Sequence, residues 1–416
     1  MYLELNPDLT PAQIALKEQM HRFAAEVTRP ASIALDKLEN PEEVARSPIL
    51  RDVFRQNYEL QYNLAGFPED LGGTDVGGIE AHIIIEEAGW GAADLAISLM
   101  ASTFPYLISL KAFQLTGNQR LMDDIVLPYT QDREGKTIGC WAVTEAQHGS
   151  DSLAVNLPEF GGDSSVSLDT WGKPDGDDWI INGSKAAWVS NGTIATHALL
   201  HFSIDRSKGP TNAAIAVMPL NLPGVSRGKP LNKMGQRALN QGEIFFDNVR
   251  IPGYYVITPP DVYPLAVDFI LANANAGMSC TFTGLARAAF EEAMTYCKQR
   301  VQGAKCLCEH QFVQRKLFDM FIKVESARQL SRAVLQYNLV AQPPVPRYSI
   351  AAKVYCTQAA FEVANDAVQL FGGYGLSREF LVEKLFRDAR SSLIEDGSND
   401  VLALAACRSL IDSHIV

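Results

Sequence analysis

The spacing of apolar residues changes twice along this chain, and that change limits the fold more than any other feature. Near the start, Ile14, Met20, Phe23 and Val27 share one loose helical face. Thr10-Pro11 followed by Gln13 supplies a cap, a first-turn proline and a capping-box partner just ahead of it. Gly72-Gly73 and Gly77-Gly78 then bracket a turn before an apolar run at residues 82–88. From about residue 140 to 252 short β-type runs take over. Trp179-Ile180-Ile181 leads into Asn182-Gly183, a dipeptide suited to a two-residue hairpin turn, and further strands are expected at 198–204, 213–218 and 243–251. The polar stretch 159–178 reads as an exposed loop or insertion. Beyond about residue 260 the helical period returns: Phe361, Ala364, Val368 and Phe371 recur at i, i+3, i+7 and i+10 until Gly372-Gly373 stops them, and Pro343, Pro344 and Pro346 separate two helices. The expected organisation is helical over 1–139, β over 140–257 and helical over 258–416, without internal repeats.

Composition removes several function classes. Lys and Arg number 36 against 48 Asp and Glu, a net charge of −12, and no basic stripe tracks a nucleic-acid backbone. Seven cysteines spread over 416 residues argue for reduced thiols rather than a disulfide framework. Cys306-x-Cys308 is the only tight pair and lacks metal-site spacing, so no metal is expected. No run of about 18 apolar residues or secretory h-region is evident, so the expectation is a cytoplasmic or mitochondrial-matrix protein without a membrane span. No GxGxxG opens a helix after a strand, and P-loop, HExxH and GxSxG motifs are missing.

Four constellations remain. They are Trp141-Ala142-Val143-Thr144-Glu145 running to Gly149-Ser150-Asp151, and Lys185-Ala186-Ala187-Trp188-Val189-Ser190-Asn191-Gly192. The third is Arg300-x-Gln302-Gly303 with Gln311. The last is Gln369 to Gly375, then Arg387-Asp388-Ala389-Arg390 and the segment Glu395 to Asp400. In order and spacing they resemble signature segments of the acyl-CoA dehydrogenases. Met234-Gly235-Gln236-Arg237, Phe245 to Pro252, and Gly66-Phe67-Pro68-Glu69 with Gly72-Gly73 extend the resemblance over most of the chain.

The resemblance implies an α+β fold: an N-terminal helical domain, a middle β-barrel or sandwich domain and a C-terminal four-helix bundle. It also implies FAD. Trp141, Val143 and Thr144 would lie beside the isoalloxazine, and Gly149 and Ser150 would allow close approach, Ser150 touching both cofactor and thioester. If 188–190 is a strand, Trp188 and Ser190 point to one side, so the indole can cover the ring while the hydroxyl reaches N5. Arg300 matches the arginine that meets the FAD pyrophosphate of a neighbouring subunit, and Gln302 and Gln311 fall in the cofactor-binding set. Gln369, Gly372 and Gly373 match the loop that holds the adenosine part across that interface. Ser398 and Asp400 complete the cofactor set, with Gly397 on the substrate. These roles imply a homo-oligomer, a dimer of dimers. The implied reaction is α,β-dehydrogenation of an acyl-CoA or acyl-carrier-protein thioester, with electrons leaving to an electron-transfer flavoprotein.

Aligned through Arg387-Asp388-Ala389-Arg390, Asp396 takes the position of the family's glutamate base and Glu395 a position where an aromatic is common. Asp396 is the expected general base. Glu395 is the runner-up; because adjacent side chains of an extended segment diverge, only one of the two is expected to face the flavin. The pair of residues that hold the pantetheine arm in many members is replaced by Ala272 and Asn275, the alternative base falls on Ala274, and an arginine after the base is replaced by Ala403. Two other readings stand beside the dehydrogenase: an oxidase or monooxygenase akin to nitroalkane oxidases, and a flavin-containing binding protein without turnover.

Overall fold

The computed structural model describes residues 5, 8–74, 76–155, 157 and 164–414. Helix α1 (Pro11–Phe23) starts as its sequence dictates. Thr10 accepts from the Gln13 amide and the Gln13 side chain accepts from the Thr10 amide. Its buried face is narrower than the apolar pattern implies: Met20 and Phe23 are buried, whereas Ile14 is 46% exposed. Helices α2 (Arg29–Asp36), α3 (Pro41–Arg46) and α4 (Pro48–Glu59) lead to α5 (Gly78–Thr116), then α6 (Gln119–Leu121) and α7 (Leu127–Gln131). Helix α5 is 39 residues long and breaks at Ala92, which is extended at φ −165° and ψ 104°. Among the described residues it is the one helix long and apolar enough to cross a membrane, but 67% of its most apolar window is buried in this fold.

The middle segment forms one sheet from β1 (Gly139–Ala142), β2 (Trp171–Asp175), β3 (Asp178–Lys185), β4 (His197–Ser203), β5 (Ala213–Pro219), β6 (Val225–Arg227), β7 (Ile244–Pro252) and β8 (Val256–Thr258). The strand order is β6-β7-β3-β2-β4-β5-β8, with β1 parallel to β4. The hairpin turn is not where the sequence suggested. It lies at Gly176-Asp177, where Asp175 faces Asp178, while Asn182-Gly183 sits inside β3 at a register shift against β7. Both dipeptides suit a turn. Pairing of Trp171 to Asp175 with β3 decides between them, so part of the polar stretch 159–178 is strand β2 rather than loop. Residues 159–163 lie outside the described residues.

Helix α8 (Tyr263–Gln299) opens the last segment. It is followed by a small hairpin, β9 (Val301–Gln302) and β10 (Lys305–Cys306), and by α9 (Gln311–Val340), α10 (Pro346–Phe371), α11 (Leu381–Ser391) and α12 (Asn399–Ser413). Pro346 starts α10 and Gly372, at φ 60°, follows its last residue. Helices α5 and α8 cross backbone against backbone. A Cβ on Gly284 would fall 2.1 Å from the Glu86 carbonyl oxygen, and one on Gly89 would fall 2.0 Å from that of Thr281. Around this crossing lies a buried ion network. Arg287 donates to Glu86 (2.7 Å) and Glu87 (2.5 Å), Arg328 donates to Glu86 (2.9 Å), and His21 meets Glu87 (2.8 Å). Burial opposes the charge on Glu86 and Glu87, but the arginines hold both carboxyls below their usual range. Removing one partner of such a pair typically costs about 3–5 kcal/mol, because the other charge stays buried alone.

Candidate active site

A cavity of about 620 Å³ lies where the three parts meet. Helix α5 contributes Ile97, Met100, Ala101 and Phe104, and α8 contributes Asn273, Ala274 and Gly277. The middle segment contributes Trp141 from β1, Val143 and Thr144 just beyond its end, then Gly149, Ser150, Trp188 and Ser190 from its loops and turns. The far wall is Arg390, Glu395, Asp396 and Gly397.

The β1 wall is held from behind. Lys185 is buried and donates to the Val143 carbonyl (3.1 Å) and to Glu145 (2.6 Å), while Glu145 also accepts from the Thr170 amide (3.0 Å). Burial disfavours the Glu145 carboxylate, yet Lys185 and these hydrogen bonds keep it below the ordinary range. The Trp141 ring stacks on Phe104 at 5.8 Å, and its Nε1 donates to His201 (2.9 Å). Glu145, His148 and Asp169 also lie close enough to share an ion, but Lys185, Asp151 and Arg206 already occupy them.

Residues 188–190 are not a strand. Trp188 lies in a turn and only Ser190 makes an isolated bridge, to Gln241. Both still reach the cavity, because Gln241 donates to the Trp188 carbonyl (3.0 Å) and pins the turn. Glu395 and Asp396 depart from expectation in the same way. Their segment is a tight turn with Asp396 at φ 53°, so the two side chains do not diverge and both line the cavity. Left-handed backbone of this kind is better tolerated by Asp than by most residues. Lys353 fixes the turn, donating to the Gly397 carbonyl (2.8 Å) and to Asn399 (2.8 Å), and Ser150 accepts from the Ser398 amide (2.8 Å).

Burial raises the Asp396 carboxyl, and the charge of Lys353 pulls it part of the way back. Burial and the neighbouring Asp396 push Glu395 up to about 7, against the hydrogen bond from Gln236 and the charges of Lys233 and Lys353. Burial likewise brings Lys233 and Lys353 down to about 8.

The sequence reading assigned no role to the loop 232–241, yet it joins the two walls. Gln236 Nε2 donates to Glu395 (2.5 Å), its amide donates to Asp388 (2.5 Å), and Lys233 donates to Gln241 (2.7 Å). Gly235 lets this loop lie on α11, since a Cβ there would fall 2.3 Å from the Arg387 carbonyl oxygen. The signal was the Met234-Gly235-Gln236-Arg237 motif itself, which resemblance placed in the β domain without a partner.

Two features of the wall call for a flat, acceptor-rich ligand. The Trp188 indole is 58% exposed, and Arg390 Nη1 is buried with no acceptor among the described residues. An isoalloxazine, with its aromatic face and its carbonyl and ring-nitrogen acceptors, fits both.

Comparison with known proteins decides the family. Models of the acyl-CoA dehydrogenase N-terminal, middle and C-terminal domains match residues 10–118, 140–249 and 265–411. A probable acyl-CoA dehydrogenase of Mycobacterium leprae is 30% identical over 352 residues, covering 84% of this chain and 85% of that protein. The chain belongs to the acyl-CoA dehydrogenase family. The mitochondrial short-chain specific acyl-CoA dehydrogenase of Rattus norvegicus is 29% identical, covering 83% of this chain and 79% of that protein. The butyryl-CoA dehydrogenase structure from Megasphaera elsdenii superposes with a TM-score of 0.82 at 25% identity, over 98% of this chain and 100% of that one. Acyl-CoA dehydrogenases are FAD-binding flavoproteins, so this chain is an FAD-dependent oxidoreductase acting on CH–CH groups.

The remaining residues expected at the site lie elsewhere in this acyl-CoA dehydrogenase. Arg300, Gln302, Gln311, Gln369, Gly372 and Gly373 are exposed and outside the cavity. Several gather at one end of the bundle, where Arg300 sits 5.8 Å over the Tyr374 ring. Ser398 caps α12 and Asp400 is exposed in its first turn. Ala272 and Asn275 are buried, and the α8 residues facing the cavity are Asn273, Ala274 and Gly277.

Proposed function

We propose that this chain dehydrogenates an acyl thioester between its α and β carbons, with Asp396 as the base. The placement of the half-buried Asp396 carboxyl in a tight turn that lines the same cavity as Trp141 and Trp188 carries the reading. Bound FAD supplies the acceptor for the β-hydride at N5. Asp396 takes the α-proton onto a carboxylate oxygen; burial raises its pKa, which strengthens it as a base, and the charge of Lys353 favours its ionised form. With FAD bound, Val143 and Thr144 would offer backbone and hydroxyl groups to it, Ser150 and Gly397 would border the thioester, and Trp188 would shield the flavin from water. Arg300, Gln302, Gln311, Gln369, Gly372 and Gly373 serve the FAD of a neighbouring copy, which accounts for their position outside this chain's own cavity. Ser398 and Asp400, at the start of α12, complete the cofactor-binding set in this reading. CoA or a carrier-protein arm brings the acyl group, an electron-transfer flavoprotein removes the electrons, and the setting is the cytoplasm or the mitochondrial matrix.

Anaerobic mixing with thioesters tests the base. D396N retains FAD and loses about 10²–10⁴-fold in the rate of flavin reduction, the usual range for removing a general base. A wild-type rate in D396N moves the role to Glu395. Reoxidation by air within the turnover time would instead favour an oxidase.

A further inference from the structure

The cavity holds a second carboxyl that the dehydrogenation step does not use. Glu395 neighbours the base, and its place is fixed. Gln236 Nε2 donates to Glu395 Oε1 at 2.5 Å, and Gln236 is itself pinned, its amide on Asp388 Oδ1 (2.5 Å) and its Nε2 also near the Asp388 carbonyl (3.3 Å). Glu395 Oε2 takes no hydrogen bond from the described residues, and the side chain lines the cavity beside Asp396. The α5 part of the wall is apolar, with Ile97, Met100, Ala101 and Phe104 suited to hydrocarbon. Above about pH 7, where Glu395 is ionised, it can only accept hydrogen bonds. An acyl group made of hydrocarbon alone would cover Glu395 and leave that oxygen without a donor, a penalty specific to such a substrate.

We infer that Glu395 is a specificity-determining residue, and that the acyl group of the substrate carries an O–H or N–H near the reacting carbons which donates to Glu395 Oε2. This rests on the acyl-thioester reading above and narrows its substrate class. The base agrees with it. Asp396 is one methylene shorter than glutamate, which leaves room in front of the turn for a substituent or ring. Hydroxyl and amine satisfy the same oxygen, but they differ in charge. The charged groups around Glu395 are Asp396 beside it, Lys233 on the 232–241 loop, Lys353 on α10, and Asp388 and Arg390 on α11, with Asp94 of α5 acting on Lys233. Glu395 loses its proton near pH 7, so an ammonium-bearing acyl group binds more tightly as pH rises through that value, and a hydroxyl-bearing one does not.

The test uses FAD-loaded protein and pantetheine thioesters of equal chain length, unsubstituted or carrying a hydroxyl or amino group on the α or γ carbon. Flavin bleaching is followed without oxygen at about pH 8, where Glu395 is ionised. A substituted thioester should exceed its unsubstituted counterpart at least about tenfold in reduction rate over apparent Kd, the scale of one unpaired buried polar group. E395L should narrow that ratio by losing on the substituted and gaining on the unsubstituted substrate. E395Q should retain the hydroxyl preference and lose the ammonium one. Equal or better reduction by the unsubstituted thioester in wild type overturns the inference and leaves the dehydrogenase reading standing. Bleaching by no thioester overturns that reading, and the inference with it. Should E395L fail to hold FAD, the wild-type ranking and E395Q still decide.

Discussion

At the scale of single residues, the site depends on two adjacent carboxyls whose surroundings push them in one direction and whose neighbours pull them apart. Glu395 titrates near 7 in the folded protein, where an unfolded carboxyl titrates near 4.5. The folded state therefore binds the extra proton between those values, and stability falls as pH rises from about 4.5 to about 7. Replacing the group by E395Q removes that loss. In urea melts of FAD-loaded protein the variant should gain on wild type across this window, reaching on the order of 1–2 kcal/mol by pH 8, with no further change above or below it. A difference that does not vary with pH would show that Glu395 stays ionised when folded. Lys353 acts in the other direction on Asp396. K353M removes the cation that favours ionised Asp396, so the pH profile of flavin reduction should move to higher pH, and the plateau rate should fall as well because the Gly397 carbonyl loses the donor that fixes the turn. The positions of both carboxyls were legible in the sequence through the Arg387-Asp388-Ala389-Arg390 register. Their shared orientation was not, because it follows from the turn geometry and from Gln236, 159 residues away.

At the scale of elements, helix period and caps revealed most of what local chemistry controls. The Thr10 capping box, the Pro346 start and the Gly372 stop all formed, since each is satisfied within a few residues. Where two segments were locally equivalent, the sequence pointed to the wrong one. Asn182-Gly183 and Gly176-Asp177 are both good turns, and only pairing with β2 selects between them. The α5–α8 crossing is of the same kind, for nothing local marks Gly284 as the contact point. G284A should cost about 3 kcal/mol or more, because the new methyl meets backbone atoms of Glu86 and Trp90 that cannot move aside. G277A, in the same helix, meets only the flexible Met100 side chain at 3.3 Å and should be nearly neutral. Urea denaturation of both variants separates the contact from a general dislike of alanine in α8, since alanine itself favours helix.

At the scale of the whole molecule, one chain builds the cavity but leaves a group of cofactor-matched residues outside it. Arg300 lies over the exposed Tyr374 ring, and Val301, Phe312 and Leu376, close in sequence to the cofactor-matched residues, are exposed. In the assembly proposed above, a neighbouring copy covers this apolar surface and the pyrophosphate of its FAD is the acceptor for Arg300. FAD affinity should then depend on assembly. Diluting the holoprotein below the concentration at which it dissociates should release FAD as subunits part, seen together by flavin fluorescence and light scattering. R300A should keep the oligomer and weaken FAD binding by roughly 10–150-fold, the worth of a hydrogen bond to a charged group. Retention of FAD by a dilute monomer at undiminished affinity would assign the whole cofactor to a single chain and return Arg300 to an ordinary surface role.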